Sequence, residues 1–520
     1  MEIKVLAKTS RSVSVEISDG GIYRTKESYQ LTLNGVSAGE IDKAVKSLFN
    51  LEPETDYVLE VLSGNGEKLG EVSFTTEYES ATLNVRNFGA AGDGVHDDTL
   101  AIQAAIMARP PKGRVLIPEG TYRMKTLFMK SNTSLEIAKG AMLKADTVRE
   151  EHPIFPAVIE TKDNDFGEYL LGTWEGDSFD MFTGIITAVD VQNVNIYGEG
   201  IVNGNASKED WWKDAKVKRI AWRPRLLFLC RSENILVQGL ELQNSPSWTV
   251  HPFFSNHLQF VNLTLKNPDD SPNTDGIDPE ACEDVLIAGV HFSLGDDCIA
   301  VKSGKISLGK KYKQPSRNLR IRQCLMERGH GAVTVGSEMA GGVMDLIVED
   351  CLFSHTDRGL RVKTRRGRGK DAILSNIVFR HLIMDHVKTP LVVNSFYFCD
   401  PDGKDAWVQD RNPAPVDDGT PEIKALIFED IEAKNCHVAA AHFSGLPEKK
   451  IEELVLRDIH ITFTENPEAD IPAMACGVEP CTKKGLVAEN VAKLTLENVT
   501  MEGYEGEKFI LSGVDELNQK

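Results

Sequence analysis

Three aspartates in two short motifs have the side chains that acid–base chemistry needs. Asp275 lies in Asn-Thr-Asp, and Asp296 and Asp297 lie in Gly-Asp-Asp, with Asp297 22 positions after Asp275. Hydrolysis of a glycosidic bond needs one carboxylic acid to protonate the leaving oxygen and one carboxylate to activate water or attack the sugar. Crowding raises the pKa of at least one carboxyl group, so that it holds a proton near neutral pH. If the fold brings the three aspartates together, they can supply both groups.

Two further polar motifs follow along the chain. His330 lies in Arg-Gly-His-Gly, and Arg361 and Lys363 lie in Gly-Leu-Arg-Val-Lys. Any one such motif is more often a turn than an active site, and Asp278, which precedes a proline, is predicted to be a turn residue. Four polar motifs in succession are much harder to explain as turns.

A nine-residue repeat predicts the elements that position these motifs. It starts with Asn or Asp, apolar residues alternate after that position, and successive copies between residues 234 and 376 start 23, 27, 34, 27 and 31 residues apart. The spacing is too irregular for a propeller, and the strand-like alternation is not that of a helical solenoid. Stacked copies bury a continuous core, which predicts a parallel β-helix. Copies begin at Asn193, Asn234, His257, Asp284, Asn318, Asp345, Asn376, Ala425, Glu453 and Lys493.

The geometry of such a solenoid predicts that the polar motifs meet. One coil rises about 4.8 Å, and Asp275 and Asp297 are about one coil apart in sequence. The three aspartates are therefore predicted to form one patch, with His330 and Arg361 on the next two coils. A cluster of this kind titrates as a unit.

The first part of the chain has the pattern of a separate module. Residues 51–57, with Leu, Pro, Thr and Tyr at alternate positions, and residues 70–76 resemble a fibronectin type III domain. We predict a small β-sandwich over residues 1–79 that acts as a spacer, and the β-helix over residues 82–520. The predicted class is therefore all-β.

Composition limits the possible partners. The 520 residues carry a formal net charge of -20, with a sequence pI near 5.2, which argues against nucleic-acid or anionic-membrane binding. No apolar run approaches the roughly 20 residues that span a bilayer. The nine cysteines include no CxxC pair, so neither a disulfide framework nor a zinc site is predicted. The first residues lack the apolar segment of a secretory signal, and we predict a cytoplasmic protein.

The four polar motifs, in this order, resemble those of the polygalacturonase family, glycoside hydrolase family 28. The family's last motif is usually Arg-Ile-Lys, and here Val362 replaces the isoleucine. The resemblance covers residue 82 to the C-terminus and includes residues 200–204 and 244–252, which are similar to segments before the family's site. It implies a right-handed parallel β-helix of the pectin-lyase type that hydrolyses galacturonic-acid linkages in pectic sugars, with no metal or cofactor.

The resemblance also implies a role for each matching residue of the acid–base cluster. Asp296 resembles the general acid. Asp275 and Asp297 resemble the pair that activates the attacking water, with inversion at the anomeric carbon. Asn273 would orient these carboxylates, and His330 would hold the acid in its protonation state or contact the substrate.

An acidic protein needs local positive charge to attract an acidic sugar, and basic residues are frequent near the motifs. Residues 361–370 include six basic and no acidic side chains, and residues 302–331 include nine Lys or Arg against one Glu. Because arginine binds carboxylates through two parallel hydrogen bonds, these stretches predict a local basic groove. Within them, the resemblance assigns Arg361 and Lys363 to the galacturonate carboxylate beside the scissile bond.

Aromatic side chains are the remaining candidate substrate contacts. Trp248, Tyr397 and Trp407 could stack on sugar rings, or could pack in the core or anchor loops. We retain Trp248 and Tyr397 as candidate substrate contacts.

Several alternatives stay open. A β-helix pectate lyase would gather calcium with aspartates, but the Gly-Asp-Asp and Gly-His-Gly pair favours hydrolysis. A non-catalytic sugar-binding β-helix would tolerate loss of an aspartate. Rhamnogalacturonan or xylogalacturonan could be the substrate, although the intact His330, Arg361 and Lys363 favour plain galacturonan. The N-terminal module and the insertions near residues 150–180 and 396–424 resemble those of bacterial exo-acting members, and endo action is the alternative.

Overall fold

The computed structural model describes residues 1–520, and its N-terminal part is a small β-sandwich. The strands of this sandwich are β1 (Glu2–Lys8), β2 (Val13–Ser18), β3 (Arg24–Leu33), β4 (Val36–Lys43), β5 (Val45–Leu48), β6 (Asp56–Leu62) and β7 (Lys68–Thr75). They form two antiparallel sheets, with orders β1-β2-β5 and β4-β3-β6-β7, which pack around their own apolar core. This confirms the β-sandwich predicted from the sequence.

A solenoid of parallel strands follows. Its elements up to residue 203 are β8 (Thr82–Asn84), a 3-10 helix (Val85–Phe88), β9 (Asp93–Asp97), α1 (Thr99–Ala108), β10 (Arg114–Ile117), β11 (Gly120–Met124), β12 (Leu127–Phe128), β13 (Ser134–Ile137), β14 (Ala141–Ala145), a second 3-10 helix (Arg149–Glu151), β15 (Ile154–Phe155), β16 (Val158–Glu160), β17 (Glu168–Leu170), β18 (Thr173–Trp174), β19 (Asp177–Ser178), β20 (Met181–Phe182), β21 (Ile186–Val189), β22 (Gln192–Gly198) and β23 (Ile201–Asn203). Those from residue 227 to residue 363 are β24 (Leu227–Cys230), β25 (Glu233–Gln238), β26 (Glu241–Gln243), β27 (Val250–Phe253), β28 (Asn256–Val261), β29 (Thr264–Lys266), β30 (Glu283–Ala288), β31 (His291–Ser293), β32 (Ile299–Val301), α2 (Ile306–Tyr312), β33 (Ser316–Arg322), β34 (Leu325–Gly329), β35 (Val333–Gly336), β36 (Val343–Thr356) and β37 (Arg358–Lys363). The remaining elements are β38 (Ile373–Asp385), β39 (Thr389–Asn394), α3 (Ala406–Gln409), β40 (Glu422–Ile423), β41 (Ala425–Cys436), β42 (Ala439–Ser444), β43 (Ile451–Phe463), β44 (Lys484–Glu489), β45 (Val491–Glu502), β46 (Glu505–Ser512) and β47 (Glu516–Gln519).

The repeat found in the sequence is the pairing register of one sheet of this right-handed parallel β-helix. The first residues of successive copies, from Asn193 to Lys493, lie side by side on neighbouring coils. The first seven, from Asn193 to Asn376, have φ between 52° and 57°. This left-handed conformation is several-fold enriched in Asn, Asp and His, which explains the residue types at that position. The predicted repeat is confirmed residue by residue.

A second column of short strands carries the polar motifs. It runs through β12, β21, β24 and β27, continues by single bridges at Ile277 and Glu280, and resumes from β32 to β46. Ile277, Ile299, Val333 and Leu360 are aligned on successive coils and are fully buried. Residues at the same offset from these four positions therefore stack above one another.

The interior of the solenoid is one continuous apolar core of 90 buried residues. Five of the nine cysteines belong to it, where a reduced thiol packs as a small apolar group; they are Cys282, Cys298, Cys324, Cys351 and Cys436. No helix of the structure has the length and hydrophobicity needed to cross a membrane.

The N-terminal sandwich packs directly on the solenoid. Glu16, which is fully buried, forms an ion pair of 2.6 Å with Arg322, and the amide of Gln238 makes hydrogen bonds with Ser12 and Ser14 at 2.8 and 2.6 Å. The sandwich is therefore fixed against the solenoid through buried polar groups, and its spacer role stays a prediction. A small apolar cluster completes the interface: Ala7, Val45, Leu236 and Val261.

Candidate active site

The solenoid brings the three aspartates into one patch, as the repeat spacing predicts. Ile277 and Ile299 pair on neighbouring coils, so Asp275 and Asp297, two residues before each, occupy equivalent positions. Asp296 lies beside Asp297 and is the only one of the three that is partly exposed. One carboxylate oxygen from each aspartate lies within 4.8 Å of the other two.

Asp297 is the ionised member of this cluster. Arg361 Nη1 donates to one of its oxygens at 3.1 Å, and Lys363 Nζ donates to the other at 2.8 Å. Burial alone would raise the pKa of Asp297, but the attraction of Lys363 and Arg361 outweighs it and holds the pKa well below the ordinary 3.8. Asp297 is therefore a carboxylate that can accept a proton from water.

Asp275 has the opposite tendency. It is buried, and burial raises its pKa well above 3.8, with further increases from the charges of Asp278 and Asp296. A carboxyl group that favours its proton thus lies one coil away from Asp297, which favours ionisation. Two neighbouring groups with proton affinities pushed apart form an acid–base pair.

Asp278 belongs to the same cluster, and the prediction that it is a turn residue is wrong. Its neighbours Ile277 and Glu280 bridge to the coils on either side, so the chain is extended here. Asp278 is fully buried, and neither of its carboxylate oxygens has a hydrogen-bond partner. Burial raises its pKa well above 3.8, against the attraction of Lys302.

Lys302 is the buried cation that compensates these carboxyl groups. Its Nζ lies 3.2 Å from Glu338, 3.8 Å from Asp275 and 3.9 Å from Asp278, and 4.4 Å from the centre of the Trp248 ring. Burial would lower its pKa, but the carboxylates outweigh this and raise it well above 10.5. The sequence marked Lys302 only as part of a basic stretch, because its partners come from three different coils.

Positive charge around the aspartates decides which chemistry the patch supports best. Three carboxylate oxygens at this separation are a geometry in which a cation could bind. Lys302 already compensates Asp275, and Arg361 and Lys363 already pair with Asp297. Proton transfer to and from the carboxyl groups is therefore the better-supported chemistry.

His330 and Asp357 continue the column that starts at Asp296. The three residues each stand three positions before an aligned core residue, and the His330 backbone N–H donates to the Asp296 carbonyl at 3.2 Å. His330 Nδ1 lies 2.8 Å from Asp357 Oδ2. This contact raises the pKa of His330, and the charges of Asp296 and Asp297 add to the increase. Asp357 was not predicted, although it stands three residues before the aligned Leu360, as Asp296 stands three residues before Ile299.

We expect Asp357→Asn to lower the pKa of His330, because the main cause of its increase is lost. Because the pKa of His330 is raised in the folded protein, its protonated form stabilises the fold. This contribution is complete below the ordinary pKa of 6.5 and is lost as pH rises through the pKa of His330 in the folded protein. The variant should therefore shift the alkaline limb of the kcat/KM profile to lower pH. A pH–rate profile and an NMR titration of His330 measure this. Asp385→Asn, which removes the partner of the external His386, is the control, and an unmoved limb in Asp357→Asn would exclude His330 as the titrating group.

Asn273 contacts a different partner from the one predicted. Its side-chain oxygen accepts a hydrogen bond of 2.6 Å from Nη2 of Arg223. Nη1 of the same arginine donates to two backbone carbonyls. No hydrogen bond joins Asn273 to the aspartates. Asn273 therefore fixes Arg223 at the rim of the cluster instead of orienting the carboxylates directly.

Arg361 and Lys363 are committed first to Asp297. Each is 8% exposed, and Arg361 Nη2 also donates to the sulfur of Met474, which lies over it at 2.7 Å. Their role as ligands of a substrate carboxylate stays a prediction, and in the structure both side chains contact Asp297 and lower its pKa.

The predicted stacking of Trp248 on a sugar ring is wrong, because the ring is 2% exposed. Arg225 lies 4.4 Å from the centre of this ring, as does Lys302. Tyr397 is 9% exposed, and the centre of its ring lies 5.8 Å from Lys363 Nζ. Little of the ring is therefore accessible to a sugar. Trp407 is half exposed and packs on Arg365.

Three arginines of the predicted basic groove are paired within the protein. Arg365 and Arg368 are buried and form ion pairs with Asp400 at 3.2 and 2.6 Å. Arg366 pairs with Glu448 at 2.6 Å and donates to four backbone carbonyls. These arginines anchor the insertion near residues 396–424 and leave little free charge for a substrate.

Insertions bound the cleft on both sides of the aspartates. Trp174, from the insertion near residues 150–180, stacks on Trp222 at 4.6 Å, and Arg225 contacts the rings of both Trp174 and Trp248. Trp248 occupies the position equivalent to Asp275 on the preceding coil, so this wall stands about one coil, or about 4.8 Å, upstream. On the other side, Met474 covers the surface above Arg361. Side chains from loops therefore lie on both sides of the aspartates along the solenoid axis.

The chain matches known protein families in sequence. The model of glycosyl hydrolases family 28 matches residues 115–477, and a model described as rhamnogalacturonase A/epimerase, pectate lyase-like, matches residues 82–147. The chain is 27% identical over 467 residues to a probable polygalacturonase of Vitis vinifera, covering 86% of this chain and 89% of that protein. It is 28% identical over 348 residues to an endo-polygalacturonase of Pectobacterium carotovorum subsp. carotovorum, covering 65% and 76%.

A solved structure shares the whole fold. The family 28 exopolygalacturonase of Yersinia enterocolitica superposes with a TM-score of 0.68 at 19% identity, covering 100% of this chain and 98% of that one. The likeness therefore includes the N-terminal sandwich as well as the right-handed parallel β-helix.

Proposed function

Because the chain belongs to glycosyl hydrolases family 28, we propose that it hydrolyses α-1,4-galacturonosyl linkages in polygalacturonate or oligogalacturonides, in exo mode and with inversion. The observation that carries the proposal is the cluster of Asp275, Asp296 and Asp297, in which a carboxyl group that favours its proton lies beside one that is held ionised. The polygalacturonases of Vitis vinifera and Pectobacterium support the substrate class.

In the proposed reaction the partly exposed Asp296 gives its proton to the glycosidic oxygen as the bond from that oxygen to the anomeric carbon breaks. A water molecule forms the new bond to that carbon, and its proton passes to the ionised Asp297, while Asp275, which keeps its own proton, holds the water by a hydrogen bond. Lys363 and Arg361 keep Asp297 ionised and so able to take this proton. The cation of His330 stabilises negative charge that Asp296 acquires.

Inversion rests on the family resemblance. Carboxyl groups of inverting enzymes are ordinarily about 6.5–9.5 Å apart, and those of retaining enzymes about 5–5.5 Å. The oxygens of the three aspartates lie within 4.8 Å here. The short spacing fits a water held by two carboxyl groups at once, and the anomer of the first product decides between the two outcomes.

The bounded cleft supports exo action. The wall of Trp174, Arg225 and Trp248 stands one coil upstream of Asp275, which leaves little room for a chain that continues in that direction. An endo-acting enzyme needs space for several sugar units on both sides of the scissile bond. A chain end that reaches the wall would place a terminal linkage at the aspartates.

The experiment follows products from polygalacturonate and trigalacturonate from the first minutes. We expect saturated mono- or digalacturonate from the start, with the β-anomer first in proton NMR if the α-linkage is inverted. A ladder of intermediate oligomers would make the enzyme endo-acting, the α-anomer would make it retaining, and unsaturated, ultraviolet-absorbing products would make it a lyase. Rhamnogalacturonan and xylogalacturonan are assayed in parallel. If either is cleaved faster than galacturonan, that polymer is the preferred substrate.

A further inference from the structure

A polar groove lies where the N-terminal sandwich meets the solenoid, on a sheet that does not carry the aspartates. It has a volume of about 750 Å³, within the usual range of about 300–1,000 Å³ for ligand sites. Its floor is formed by Ser134, Asn195, Leu236 and Gln259, which are paired in one row on four neighbouring coils. The row runs along the solenoid axis for about 14 Å, three steps of about 4.8 Å.

The opposite wall comes from the sandwich and the segment that leads out of it. Residues 5–8 of β1 form one side, and Tyr78 and Lys112 form the rim. The Tyr78 ring is 48% exposed, and Lys112 Nζ lies 5.8 Å from its centre. The groove therefore exists only because the sandwich is docked on the solenoid.

Several polar atoms of the groove have no partner within the protein. Asn195 uses its amide nitrogen on Ser134, and Gln259 uses its amide nitrogen on the Leu6 carbonyl, so both side-chain oxygens are free. The Tyr78 hydroxyl and Lys112 Nζ make no hydrogen bond either. Free amide oxygens, an exposed aromatic face and a free cation are the groups that bind hydroxyls, sugar rings and carboxylates.

Charge selects an acidic ligand. Lys8 and Lys112 line the groove against one acidic residue, Glu77, in a chain whose net charge is -20. We propose that this groove is a second, non-catalytic binding site for an acidic oligosaccharide that runs along the solenoid axis. The identification of that sugar as galacturonan rests on the proposed function; the groove itself does not.

The test measures the affinity of the full chain for polygalacturonate, with Asp296→Asn as background so that the polymer stays intact. Affinity electrophoresis in gels that contain polygalacturonate gives the dissociation constant. We expect Tyr78→Ala combined with Lys112→Ala to weaken binding by about fivefold, the scale of one aromatic and one exposed charged contact. Glu77→Gln should strengthen binding, because it removes the only negative charge in the groove.

Matched variants keep the test specific. Lys26→Ala removes an exposed lysine of the same sandwich that does not line the groove, and should leave binding unchanged. Tyr78→Phe should retain most of the affinity, since it keeps the ring. Unchanged binding in the double variant, or equal binding to fully methyl-esterified polymer, would overturn the proposal.

Turnover separates this proposal from the catalytic one. On the active background, the double variant should raise KM for polygalacturonate and leave kcat and KM for trigalacturonate unaltered. A chain that binds polygalacturonate through the groove but does not cleave it would overturn the proposed function alone. A chain that cleaves it with groove variants equal to wild type would overturn the groove alone.

Discussion

Asp296→Asn lowers kcat on trigalacturonate by about 10³-fold, the usual contribution of a positioned general acid, and leaves KM within a few-fold. Asparagine has the same shape but has no proton to give to the leaving oxygen. The fold should be unaffected, because the backbone N–H of Asp297 that now donates to Asp296 Oδ1 at 2.9 Å can donate equally to the asparagine oxygen. Steady-state kinetics at the pH optimum measures the loss.

An activated leaving group distinguishes the acid from the other carboxyl groups. A nitrophenyl galacturonide needs little protonation to depart, so Asp296→Asn should lose much less activity on it than on trigalacturonate. Asp275→Asn is the informative comparison, because the raised pKa of Asp275 makes it the competing candidate for the acid. If Asp275→Asn is the variant rescued by the activated substrate, the two roles are exchanged. Asp270→Asn, an exposed aspartate paired with Lys208, controls for the loss of one charge.

The fold was predictable because the strand register of a β-helix appears as a repeat in its sequence. Asn193, Asn234 and His257 mark equivalent left-handed positions, and the aligned apolar residues after them define the coil. Once the coil length is known, the neighbourhood of Asp275 and Asp297 follows from one rise of about 4.8 Å. The same alignment would have found Asp357, since its place in the column depends only on the offset from Leu360.

Contacts made by loops could not be predicted in this way. Trp248 has the residue type of a sugar platform, and only the positions of Trp174 and Arg225 show that its faces are covered. Arg366 looked like part of a basic groove because its partner Glu448 is 82 residues away in sequence. Long insertions carry no repeat, so the side chains that they bury or neutralise depend on tertiary packing alone.

Docking of the N-terminal sandwich was missed for a related reason. Gln238 and Arg322 look like ordinary outward-facing positions of the repeat, and the sandwich has a core of its own. Their partners Ser14 and Glu16 are on a strand more than 200 residues earlier in the chain. An outward-facing position with a polar residue is consistent with solvent or with a partner, and the sequence pattern is the same in both cases.

Lys302→Met is expected to destabilise the protein by about 3–5 kcal/mol at pH 7, the usual cost of removing one partner from a buried ion pair. Methionine fills a similar volume but leaves Glu338 and Asp278 without their cation. Lys302 holds the pKa of Glu338 at about 2 despite burial. A carboxyl group with a depressed pKa contributes stability above its unfolded pKa, here near 4.5, and that stability is lost as pH falls toward the folded value.

The sign of this linkage gives the variant a pH signature. Without Lys302 the buried carboxyl groups can become neutral only by taking up protons, so the loss of stability should be largest at pH 7 and smaller near pH 5. Urea unfolding followed by circular dichroism at both pH values measures it. Lys305→Met is the matched control, because this lysine lies 3.6 Å or more from its partners Asp177 and Asp400 and should cost no more than about 1 kcal/mol.

The same substitution tests whether Lys302 positions the acid–base pair. Its Nζ is 3.8 Å from Asp275 and its charge also acts on Asp297, so its removal raises the pKa of both carboxyl groups, including the one that must be ionised to accept a proton. The pH profile of kcat/KM should then move its acidic limb to higher pH, which loss of folded protein alone would not do. Equal loss of stability at pH 5 and pH 7 with an unmoved profile would mean that Lys302 only fills space. A loss of stability that depends on pH, together with a shifted pH profile of kcat/KM, would mean that one buried cation sets the protonation of the catalytic cluster and also stabilises the coil that carries it.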